Sequence, residues 1–132
     1  MATLTPTLTL TSTDATTDQL SFSVTDSLSI NAPLAGLSKT LATATGGDNI
    51  VVPRTGGTIT YFYCRHTGTT DGSTGTAQQV DVEFTTDEGI ARLSAGEWLF
   101  MPISHAGASV GVQLQVNHAS NVQLEYAYWT AS

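Results

Sequence analysis

The chain has 132 residues and a mass of 13.8 kDa, enough for one hydrophobic core and little more. Four basic residues (Lys39, Arg54, Arg65, Arg92) stand against 11 acidic ones, and a net charge of −7 repels phosphate backbones and anionic membranes, so no nucleic acid and no membrane is expected as a partner. Only 11% of residues are charged while 40% are hydrophobic, so the surface must be covered by neutral polar groups, and 23 Thr and 12 Ser supply them. The single cysteine, Cys64, allows no internal disulfide. The chain shows neither an apolar run of about 18 residues nor a basic-then-apolar start, so we expect a soluble product made in the cytoplasm.

In chain order, residues 2–13 alternate Thr3, Thr5, Thr7, Thr9, Thr11 and Thr13 with Leu4, Pro6, Leu8 and Leu10. This is the period of a half-buried strand, and Pro6, which has no ladder donor, assigns it to a sheet edge or an extended arm. Leu20, Phe22 and Val24 alternate with Ser21, Ser23 and Thr25, and Leu28 and Ile30 follow a break at Asp26-Ser27. Pro33, Gly36 and the pairs Gly46-Gly47 and Gly56-Gly57 interrupt the next stretch and read as turns. Thr58 to His66 carries bulk on both faces, with Ile59, Tyr61 and Tyr63 opposite Phe62 and Cys64, as expected of a central strand or a subunit contact. Residues 67–76 are rich in Gly, Thr and Ser and read as a mobile surface loop. Val80, Val82 and Phe84 alternate with Gln79, Asp81 and Glu83 before a turn at Asp87-Glu88-Gly89. Trp98 to Pro102, Val110 to Val116 and Val122 to Tyr128 complete the series, the last two joined at Asn117 to Asn121. Eight or nine short strands with no helical period indicate an antiparallel sandwich or barrel.

The candidate chemistry is sparse. His66, His105 and His118 fall on different elements without ligand spacing, which leaves no metal site to assign. Asp81, Glu83, Asp87 and Glu88 lack the spacing of a calcium loop and read as a solvated face. Cys64 and His66 share a strand face about 7 Å apart at their Cα atoms, too far for direct activation, and Cys64 reads as a buried hydrophobe. We therefore expect no enzyme activity, no catalytic residue, no metal and no cofactor. The Thr-rich N-terminus, uncharged and extended, suits strand addition to another subunit. Thr3, Thr5, Pro6, Thr7 and Thr9 are the interface candidates it supplies, and Trp129, beside Glu125 and Gln123, is a candidate contact anchor.

The Met-Ala-Thr start, the Thr/Ser/Gly-rich alternation, the segment Leu93-Ser94-Ala95-Gly96-Glu97-Trp98-Leu99-Phe100-Met101-Pro102 and the terminal Val-x-Leu-x-Tyr-x-Tyr-Trp strand together resemble small virion structural proteins of tailed bacteriophages. The likeness is greatest to head decoration or cement proteins. It implies a compact β-rich subunit bound without catalysis to the capsid surface, with the major capsid protein or other virion proteins as partners. It further implies a homo-oligomer, a trimer above other states, located in the virion. A tail or head-fibre module that binds a host surface or carbohydrate is the alternative. The expected fold is all-β, an antiparallel, jelly-roll-like β-sandwich of about eight strands in residues 14–132, with residues 1–13 as an edge strand or N-terminal arm.

Overall fold

Strict alternation over short, β-branched and aromatic runs gives twelve strands and no helix among the described residues of the computed structural model, which are 2–31, 37–42, 49–53, 59–104 and 110–132. Gly46-Gly47, Gly56-Gly57, Arg54 and His105 lie outside them. The strands are β1 (Ala2–Leu4), β2 (Thr7–Ser12), β3 (Leu20–Thr25), β4 (Leu28–Ile30), β5 (Ser38–Ala42), β6 (Asn49–Val52), β7 (Thr60–His66), β8 (Val80–Phe84), β9 (Gly89–Leu93), β10 (Trp98–Ile103), β11 (Val112–Gln115) and β12 (Val122–Thr130). All named pairings are antiparallel, as expected, but they are distributed over four sheets rather than about eight strands in one sandwich. The excess over eight comes from the N-terminal quarter, which forms strands of its own.

The chain divides into two compact units, Met1–Pro33 with Ala131–Ser132, and Leu34–Thr130. In the first, β1 pairs with β4 and β2 with β3. The register is continuous: Leu4 lies opposite Leu28, Thr7 opposite Thr25 and Ser12 opposite Leu20, so each pair of residue numbers adds to the same value. The two small sheets are therefore one hairpin ribbon, interrupted at Pro6, where Asp26 N–H donates to the Pro6 carbonyl (3.1 Å) and proline has no N–H to return. The C-terminus is tied to the base of this ribbon, with Ala131 bridging Ile30 and Ser132 N–H donating to the Ser29 carbonyl at 3.3 Å.

In the second unit two four-stranded sheets run β10-β7-β12-β5 and β6-β11-β8-β9. Pairing is nested, the first strand of the unit with the last and so inward: β5 with β12, β6 with β11, β7 with β10, β8 with β9. Inward residues from both sheets share one core cluster, including Phe62 and Cys64 from β7, Val80 and Val82 from β8, Leu114 from β11 and Leu124 from β12, all fully buried. Alternation explains most of this burial, and two register shifts explain departures from it. A bulge in β6 accompanies burial of the adjacent Val51 and Val52, and another in β9 leaves Ile90 and Ala91 both against the core.

Residues 67–76, expected from composition to be a mobile surface loop, are tied to β12 and to themselves by hydrogen bonds. Thr67 N–H and Oγ1 both reach the Gln123 carbonyl (3.2 and 2.8 Å), and Gln123 N–H reaches the Thr69 carbonyl (2.9 Å), so the loop extends the pairing of β12. At its tip Asp71 Oδ1 accepts the N–H groups of Ser73 and Thr74 at 2.9 and 2.7 Å. Thr74 N–H and Ser73 N–H hold the Asp71 carboxyl down to about 2, although it is fully exposed.

Candidate interaction surfaces

The ribbon places the expected interface threonines on one face. Thr3, Thr5, Thr7, Thr9 and Thr11 fall opposite Ser29, Ser27, Thr25, Ser23 and Ser21 in the common register, ten hydroxyls and no charge. The ladder is internally bonded, with Thr7 Oγ1 to Thr25 Oγ1 at 2.9 Å and Thr9 Oγ1 to Ser23 Oγ at 3.0 Å. Pro6 falls on the opposite face, with the leucines. There Leu8 meets Val24 and Leu10 meets Phe22, and these four are 41%, 58%, 42% and 41% exposed. Sequence reasoning singled out the threonines and missed these four. The available signal was the phase of the second run: Leu20, Phe22 and Val24 alternate in step with Leu4, Leu8 and Leu10, so antiparallel pairing gathers all the apolar side chains on one side.

The second surface is the outer face of the sheet β10-β7-β12-β5. Trp129 is half-buried there and lies opposite Tyr61, which lies opposite Pro102; one step along, Ala127, Tyr63 and Phe100 are aligned, and then Glu125, Arg65 and Trp98. The rings of Tyr61 and Phe100 stack with centroids 6.5 Å apart and planes 8° from parallel. Tyr63 Oη donates to Glu125 Oε1 at 3.1 Å, and burial, then that carboxylate, raise its pKa. Trp98 is 55% exposed and, with Tyr63, Arg65 and Gly96, lines a shallow recess of about 450 Å³. Gly96 adopts φ +85° in the turn that presents Trp98, a conformation glycine takes without penalty. The face thus holds both tryptophans of the chain, the more exposed being Trp98 rather than the expected anchor Trp129.

The remaining candidates are structural in their contacts. Cys64 is fully buried, and burial pushes its thiol up to about 12, the opposite of an activated nucleophile. His66 is fully buried with both ring nitrogens engaged: Nε2 donates to the Gln78 carbonyl at 2.8 Å, and Nδ1 accepts Gly68 N–H at 2.9 Å. His118 Nδ1 accepts Ser120 N–H at 3.0 Å, while its Nε2 is buried without a partner. Asp81 holds Arg92 in a two-point ion pair (2.5 and 3.0 Å) and accepts from Asn117 at 3.0 Å. Glu83 and Asp87 both accept from the buried Gln113 amide, at 3.4 and 3.1 Å. This carboxylate face is therefore partly occupied by hydrogen bonds within the chain rather than simply solvated. No group of three or more His, Cys, Asp or Glu side chains placed to hold a metal ion occurs among the described residues.

No protein-family model, curated protein or solved structure matches this chain.

Proposed function

We propose that the chain is a non-enzymatic structural subunit of a tailed-phage virion, seated on the capsid surface as a decoration or cement protein. Its partners on this reading are the major capsid protein and copies of itself, and its location is the virion. The observation that carries the reading is the ribbon: a two-stranded element without a basic residue, with a bonded hydroxyl face and an exposed apolar face. Such an element has no chemistry to perform and a large surface to bury. Ser and Thr lose little rotamer freedom on contact, and the near absence of charge removes a desolvation cost. We read the Leu34–Thr130 unit as a jelly-roll-like sandwich, a reading supported by its nested strand pairing and by the core common to both four-stranded sheets.

Mixing the purified chain with phage heads that lack it, then counting bound copies by quantitative mass spectrometry, tests the assignment. Saturable binding at a fixed ratio to the major capsid protein is expected, and heads that take up none would overturn it. A second reading, a host-surface or carbohydrate-binding module of a tail or fibre, draws on the exposed Trp98 beside Arg65 in the recess of the β10-β7-β12-β5 face. A glycan-array signal abolished by Trp98→Ala, together with absence from purified heads, would favour it.

A further inference from the structure

We propose that the recess beside Trp98 on the β10-β7-β12-β5 face binds a sugar that carries a carboxylate, with its ring on the Trp98 indole and its carboxylate on the Arg65 guanidinium. The inference deepens the carbohydrate reading above, on which it rests, by naming the class of saccharide.

The register lays Trp98, Arg65, Glu125 and Lys39 side by side across the four strands of this sheet. Their charges alternate, yet among the described residues neither Arg65 nor Lys39 makes an ion pair or a side-chain hydrogen bond, and both are exposed. Glu125 accepts the Tyr63 hydroxyl instead (3.1 Å), and Glu97, next to Trp98 in the chain, accepts Ser94 N–H (2.6 Å). Arg92, by contrast, is held by Asp81. On a chain with 11 acidic residues, Arg65 thus keeps its guanidinium fork open beside an exposed indole. The partner that fits such a fork is a planar oxyanion, taken by two parallel N–H donors.

Charge selects the anion, and the other walls select what carries it. Glu125 lies directly opposite Arg65, roughly 5 Å away at Cβ, and repels a doubly charged phosphate about twice as strongly as a carboxylate. A single carboxylate is therefore the better match. Trp98, 55% exposed, offers a flat apolar surface of the kind that stacks on the C–H face of a sugar ring. Tyr63 Oη, whose proton goes to Glu125, keeps lone pairs for a sugar hydroxyl. Gly96 completes the recess, and apart from its chain neighbours nothing lies within 4 Å of where a Cβ would stand, which leaves room for the edge of the ring. The recess of about 450 Å³ falls in the range of small-ligand sites, and its lining of Tyr63, Arg65, Gly96 and Trp98 has no aliphatic socket to anchor a peptide side chain.

Ligand-observed NMR titration of the full chain with glucuronate, galacturonate and sialate glycosides, each beside its methyl ester, tests this. The ester keeps the ring and removes the charge. At least one acid should bind about tenfold or more tightly than its ester. Arg65→Gln should bring that acid down to the affinity of the ester without changing the ester's own, and Trp98→Ala should abolish both with the denaturation midpoint nearly unchanged. Glu125→Gln, which removes the opposing charge, should tighten the acid several-fold and leave the ester as it was. Equal affinity for acid and ester, an acid indifferent to Arg65→Gln, a hexose phosphate bound more tightly than every acid, or an oligoglutamate peptide that displaces the acid at lower concentration would overturn the proposal. Neutral glycans bound in place of the acids would remove this inference and leave the carbohydrate reading standing, whereas a chain that binds no glycan at about 10 mM would remove both.

Discussion

His66 and Cys64 show how burial settles the role of a side chain that sequence spacing leaves open. Both project inward from β7, and both are fully buried. His66 joins the Gly68 amide to the Gln78 carbonyl, closing the long loop onto the strand from which it departs. His66→Ala should therefore leave two part-buried backbone groups without their partner, empty a fully buried site and cost about 2–4 kcal/mol in urea denaturation followed by tryptophan fluorescence. The Cys64 thiol, pushed up to about 12, should resist alkylation at pH 8 in the folded chain and react at the rate of global unfolding. Asp71 gives a pH dependence of definite sign. Its folded value of about 2 lies below the ordinary 3.8, so its contribution to holding residues 67–79 is complete above about pH 4. That contribution is lost as pH falls toward 2. Amide exchange at Ser73 and Thr74 should show their protection dropping over that interval, and Asp71→Asn should remove the dependence.

At the level of elements, much of the strand pattern was legible. Val80-x-Val82, Leu20-x-Phe22-x-Val24 and Val122-x-Leu124 announce strands because alternate side chains meet different environments. What alternation does not contain is the partner of each strand. Residues 2–12 and 20–30 both show the pattern, and only their shared register reveals that ten hydroxyls lie on one side and the leucines on the other. The aromatic face has the same cause: Tyr61, Tyr63, Phe100, Trp98 and Trp129 come from three strands, and only the order β10-β7-β12 makes them neighbours. Loop composition misled for a different reason, since Gly, Ser and Thr that permit mobility also supply the donors that Asp71 and Gln123 fix in place. The two faces of β7 and β10 should respond differently to truncation. Phe62→Ala, at a site with no exposure, should cost about 3–5 kcal/mol, whereas Trp98→Ala, at a site more than half exposed, should leave the denaturation midpoint nearly unchanged.

For the molecule as a whole, scarcity of charge and excess of threonine are compatible with the proposed assembly role. Net charge of −7 is carried by few side chains, and the described ion pair, Arg92 with Asp81, lies on the outer side of β8 and β9. The ribbon and the β10-β7-β12-β5 face leave apolar and aromatic side chains exposed that an isolated subunit would gain by burying. The proposed role as an assembly subunit would bury them. Quantitative mass spectrometry with imaging of purified particles, made from the genome that encodes the chain, tests that role most directly. The chain is expected in a fixed ratio to the major capsid protein with density on the outer shell; particles whose heads lack it would contradict the proposed role.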